Sequence, residues 1–106
     1  MIDQDRITEL KDEIGDDDLA LVLGMFIAEA RREIARIGTG LDAVDHAKAT
    51  HFLRSGALNV GLVGLARDAD LAAMVQADAR AGTAEILARA LRQSTAALGM
   101  AEEDAA

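Results

Sequence analysis

Apolar residues recur along this chain at spacings of three and four, and nowhere alternate with polar ones over a useful length. That is the period of a helix buried on one side, not of a strand. Ile7, Leu10 and Ile14 define one face of a short first helix, from about Asp5 to Ile14, with Gly15 closing it. The acidic run Asp16-Asp17-Asp18 opens a long second helix to about Ile37, striped by Leu19, Leu23, Phe26, Ile27, Ala30, Ile34 and Ile37. After the turn Gly38-Thr39-Gly40, a third helix is expected from near Asp42 to about Asn59, ended by Gly61. A fourth, roughly Leu62 to Ala81, would end at Gly82, and Thr83 would cap a fifth striped by Leu87, Leu91, Ser94 and Leu98. Short Gly turns between helices of this length favour antiparallel neighbours. The expected fold is all-α: an antiparallel four-helix bundle with the short additional N-terminal helix across one end. One domain should span residues 1–100, with AEEDAA at 101–106 as an acidic frayed tail.

With 106 residues, 51% of them hydrophobic, the chain can form one core and is not disordered throughout. Eleven Lys and Arg against nineteen Asp and Glu give a net charge of −8, which repels a phosphate backbone, so no nucleic-acid partner is expected. The absence of Cys excludes disulfides, thiolate chemistry and Cys-ligated metal centres, and two His are too few for a His-only metal site. Charge begins at the third residue, unlike a secretory signal, and the longest apolar run, Leu19 to Ala28, is about half of the ~20 residues a membrane span needs. A cytoplasmic protein with no membrane partner is expected. Little apolar surface is left over, so the expected state is a monomer.

The third helix carries the candidate chemistry. At about 100° per residue, Ala49, Leu53, Gly56, Ala57 and Val60 cluster on one side, with Phe52 at the margin, and His51 lies opposite. Ala47, Lys48, Arg54 and Ser55 stand one turn either side of His51, with Val44 and Leu58 two turns away in line with it. His51 should therefore sit at the surface, in a small apolar patch between two cations. His46 lies about 140° round the helix, so the two rings cannot share a metal ion or pass a proton. Asp42 is expected to cap the helix and His46 to be an edge residue. Neutral imidazole is a good nucleophile near pH 7, its reference pKa being about 6.5. Flanking cations discourage protonation and can hold the oxygens of an incoming phosphoryl group. The small residues Ala47, Ser55 and Gly56 leave space for another protein to reach the ring. Acid–base catalysis would need a second titrating group on this face, and none is evident. The competing reading is an inert histidine, of the surface or of the core.

The segment His51-Phe52-Leu53-Arg54-Ser55-Gly56-Ala57-Leu58-Asn59-Val60-Gly61 resembles the signature of histidine-containing phosphotransfer (HPt) domains, roughly H-x-L-K-G-S-A-x-x-x-G. His51, Phe52, Leu53, Ala57, Leu58, Asn59 and Gly61 match the common variant H-F-L-K-G-S-A-L-N-L-G by position, and Asp42 falls where family members often carry Asp. The preceding helix, LALVLGMFIAEARREIARI, resembles the family's F-x-x-E-A-type segment, so the likeness covers nearly the whole chain. It implies a four-helix bundle whose exposed His carries phosphate between response-regulator receiver domains, with no ATP site and no cofactor of its own; magnesium comes with the receiver. The chain departs from the pattern twice. Arg54 stands where Lys is usual, and Ser55 takes the usual Gly position, with the glycine displaced to Gly56. In the family that glycine gives a receiver room to approach.

Other features have plainer accounts. Asp16-Asp17-Asp18 suits a helix N-terminus better than a cation site. Arg31, Arg32 and Arg36, mixed with Glu29 and Glu33, read as a solvated face with i, i+4 pairing in preference to a patch for an acidic partner. Leu21 and Met25 fall outside the main stripe of the second helix; they either extend the patch around His51 or pack on the short first helix. Met74 and Met100 read as packing and tail residues.

The functional expectation is a stoichiometric phosphocarrier and not a turnover enzyme. His51 accepts a phosphoryl group on the ring nitrogen farther from the backbone, Lys48, Arg54 and Ser55 stabilise it, and Val44, Ala47, Leu58, Leu21 and Met25 dock the receiver. A hybrid histidine kinase is a possible further partner. The alternatives are an HPt-like adaptor that docks on a receiver or kinase without being phosphorylated, and an unrelated helical bundle serving as a subunit of something larger.

Overall fold

The computed structural model describes residues 1–99. The expected tail at 101–106, and Met100 before it, lie outside the described residues. Four helices account for most of the rest: α1 (Gln4–Gly38), α2 (Ala43–Asn59), α3 (Val63–Ala72) and α4 (Thr83–Ala97), with one 3-10 turn at Ala77–Ala79. No strand occurs among the described residues. The chain is an all-helical bundle in which α2 packs on α3, α1 on both α2 and α4, and α3 on α4.

Helix α1 is not straight. Gly15 has φ 85° and ψ 166°, far from helical values, and divides it into segments 4–14 and 16–38. Glycine reaches that conformation without the steric penalty of a Cβ. The expected stripe of the longer segment is buried in full, from Leu19 to Ile37. On the shorter one Ile7 and Leu10 are buried, but Ile14 is 38% exposed, against expectation. It belongs to the run 11–18, every residue of which is exposed, so the kink region stands off the bundle.

The N-terminal segment is fastened to the turn between α2 and α3. Asp3 N donates to Gly61 O at 2.7 Å, and Arg6 donates from Nε to Asn59 O at 2.9 Å and from Nη2 to Asn59 Oδ1 at 3.2 Å. The bond from Arg6 Nε takes up the Asn59 carbonyl, which the end of α2 leaves without a helical partner. At Gly61, φ is 82°, and a Cβ there would stand 3.1 Å from Asp3 O, so the turn is built for glycine.

Three expectations about the second half fail. Helix α3 stops at Ala72, about half the predicted length, and residues 73–82 turn over the surface, Met74 being exposed and not a packing residue. Beyond Ala72 the sequence offers nothing at core spacing that is buried before Thr83. Thr83 does not cap α4 by accepting a backbone N–H; Gly82 holds the cap position, and Thr83 Oγ1 donates back to Arg80 O at 2.7 Å. The α4 stripe is otherwise as expected, with Leu87, Leu91 and Ser94 buried and Leu98 half-buried.

Candidate functional site

Helix α2 begins where the sequence says it should. Asp42 Oδ1 accepts from Asp45 N at 2.8 Å, satisfying one of the free amides of the first turn. Ala49, Leu53 and Ala57 are fully buried, which fixes the rotation of the helix and turns His51 to solvent. Val44, Ala47, Lys48, Arg54, Ser55 and Leu58 are exposed with it.

Ser55 Oγ lies 3.4 Å from His51 Nε2, a weak contact at the long end of hydrogen bonding. Arg54, though exposed, is paired across the groove: its Nε is 3.5 Å from Asp70 Oδ1 on α3. His51, Arg54 and Asp70, with Ala47, Thr50, Ala69 and Ala73, line a shallow groove of about 220 Å³ between α2 and α3. A second depression, lined by Arg54, Leu58, Val63, Ala66, Arg67 and Asp70, shares the ion pair as its boundary. Lys48 is exposed beside His51 on the helix but forms no part of the groove wall. Asp70 was not among the expected site residues. Its place depends on how α3 packs on α2, which no local pattern encodes.

Gly56 answers the question raised by the Ser-Gly order. A Cβ there would collide with the Phe26 ring, with Cδ1 at 2.9 Å. The ring is buried and packs tilted, at 36°, against Phe52 at a centroid distance of 5.9 Å. Gly56 thus serves the α1–α2 contact, and the exposed position falls to Ser55. Gly56→Ala should gain about 1 kcal/mol of helix propensity and lose about 1–3 kcal/mol to overpacking, a net destabilisation of up to about 2 kcal/mol. Urea unfolding checks this, and in a Phe26→Leu background, where the obstructing ring is gone, the same change should become neutral or stabilising.

Leu21 and Met25 are 62% and 58% exposed, so the first helical segment does not bury them. Phe26, the residue after Met25, packs its ring against Gly56 and Phe52 of α2.

His46 is not an edge residue. It is 2% exposed, and its Nε2 lies 2.8 Å from Ala72 O, the last carbonyl of α3. A carbonyl only accepts, so the Nε2–H donates. Nδ1 is buried without a partner. One histidine is therefore interior and one exterior, as their angular separation requires. Among the described residues no cluster of three or more His, Asp or Glu side chains could hold a metal ion.

Of Arg31, Arg32 and Arg36, the last donates through Nη1 to both carboxylate oxygens of Glu33 at 3.0 and 2.9 Å, an i, i+3 and not an i, i+4 pair. That hydrogen bond, with the charge of Glu33, raises the guanidinium above its usual pKa. Arg31 has a buried, unpartnered Nε and lines a separate groove between α1 and α4 with Arg92. No helix among the described residues is long and apolar enough to cross a membrane. Comparison with protein-family models, with curated proteins and with solved structures gives no match for this chain.

Proposed function

We propose that this chain is a histidine phosphocarrier of the HPt type, a cytoplasmic relay component that takes a phosphoryl group from one receiver domain and gives it to another. The observation that carries the reading is His51 itself: solvent-exposed, on the outer face of α2, in a groove whose wall holds Arg54. The lone pair of His51 Nε2, the ring nitrogen farther from the backbone, attacks the phosphorus of a receiver's aspartyl phosphate. The N–P bond forms, the P–O bond to the aspartate breaks, and the carboxylate leaves. The guanidinium of Arg54 supplies N–H donors for the phosphoryl oxygens. Ser55 Oγ, already 3.4 Å from Nε2, adds a further donor, and Lys48 contributes charge from the neighbouring turn. Magnesium belongs to the receiver's acidic pocket; the carrier supplies only the nucleophile and its surroundings.

The finer architecture belongs to the same proposal: four antiparallel helices, with segment 4–14 as the additional short helix against one end, in a monomer. The exposed strip of Val44, Ala47 and Leu58, with Leu21 and Met25 on α1, is apolar enough to dock a receiver face.

The test is to mix the protein with a panel of phosphorylated receiver domains and score acid-labile, base-stable phosphate on it. Uptake supports the carrier. Binding to a receiver without uptake overturns it in favour of the unphosphorylated adaptor, which would regulate a receiver or histidine kinase by occupancy.

A further inference from the structure

Asp70 sits across the groove from His51 on a different helix, and its partner is the one cation in that groove's lining. We propose that Asp70 is a positioning residue that shortens the lifetime of the phosphoryl group on His51 by restraining Arg54. The inference rests on the phosphocarrier reading and adds to it how tightly the cargo is held.

The geometry is that of a pair made to exchange. At 3.5 Å the contact is longer than a good charge-assisted hydrogen bond, roughly 2.7–2.9 Å. Its side chains are 48% and 63% exposed, so water competes for both and the pair contributes little to folding. A phosphoryl group on His51 puts up to two negative charges into the groove that Arg54 and Asp70 both line. The guanidinium then has two anionic claimants. While Asp70 holds it, phosphohistidine is only partly neutralised and its N–P bond stays easy to break. A guanidinium free of Asp70 would turn wholly to the phosphoryl oxygens. A relay intermediate benefits from the restraint, because a group held too firmly is not handed on.

The experiment needs no knowledge of the partner. Phosphoramidate is the phosphodonor: a His51 ring nitrogen attacks phosphorus, the P–N bond of the reagent breaks and ammonia departs. After removal of the reagent, phosphohistidine decays as water attacks phosphorus, the N–P bond breaks and the imidazole takes up a proton. Its half-life at His51 is read by 31P NMR and mass spectrometry in wild type, Asp70→Asn, Asp70→Glu, Arg54→Ala and the Arg54→Ala/Asp70→Asn double variant. Asp70→Asn should lengthen the half-life by about threefold to tenfold at low ionic strength, less so at high salt. Asp70→Glu should restore the wild-type value. In the double variant the effect should vanish, the non-additivity expected when one residue acts through the other. Unfolding midpoints should be unchanged throughout, which separates the effect from a structural one. An unchanged or shorter half-life in Asp70→Asn overturns the proposal, as does an effect that survives in the Arg54→Ala background. Failure of His51 to label in any variant overturns the phosphocarrier reading, and this inference with it.

Discussion

His51→Gln is expected to take up no phosphoryl group from any receiver that labels the wild type, a loss to below detection and not a reduction. An amide has no lone pair basic enough to form the N–P bond, and the one other imidazole of the chain is inside the protein. The substitution should leave the fold alone. His51 is exposed, and its one side-chain hydrogen bond is the 3.4 Å contact with Ser55, so stability should change by no more than about 0.5 kcal/mol. Receiver binding should persist, because the apolar strip of Val44, Ala47 and Leu58 is untouched. Loss of label with retained binding is the decisive combination, read by labelled-phosphate transfer beside a binding isotherm. Label that persists on His51→Gln would place the acceptor elsewhere and end the assignment.

The rotation of α2 was legible in the sequence because it follows from helix period alone. Once Ala49, Leu53 and Ala57 are assigned to the core, the exposure of His51 and Arg54 is geometry, and the Asp42 cap is a local hydrogen bond. The long stripe of α1 was legible for the same reason, and Gly15 marked its own break. What escaped is tertiary. The wheel separated the two histidines correctly but could not say that α3 would cover one of them. It gave no hint of Asp70, whose approach to Arg54 depends on the packing of one helix on another. The end of α3 escaped too, since no Pro or Gly stands between Ala72 and Gly82 to announce it. Gly56 is the mixed case: the motif flagged its displacement, but only the Phe26 ring explains it.

The contact between His46 and the end of α3 makes His46 a position where substitution should cost the fold heavily. His46→Ala removes a ring that is 2% exposed and takes away the donor that holds Ala72 O. Emptying a buried site of this size costs about 2–3 kcal/mol. Leaving a buried carbonyl without a partner adds about 1–2 kcal/mol. The sum, about 3–5 kcal/mol, is a large part of the roughly 5–15 kcal/mol that separates folded from unfolded small domains. His46→Gln keeps a donor and most of the volume, so it should cost less, about 1–2 kcal/mol, but it is not a neutral control for experiments on His51. Urea unfolding gives both numbers, and amide exchange localises them: protection should fall first near the end of α3, around Ala69 to Ala72. Below its unfolding midpoint His46→Ala should still accept phosphate, because His51 is carried by α2 itself and not by the contact with α3. Equal protection of α3 in wild type and His46→Ala would mean that the Ala72 bond does not hold the helix end, and the assignment of His46 as its anchor would fall.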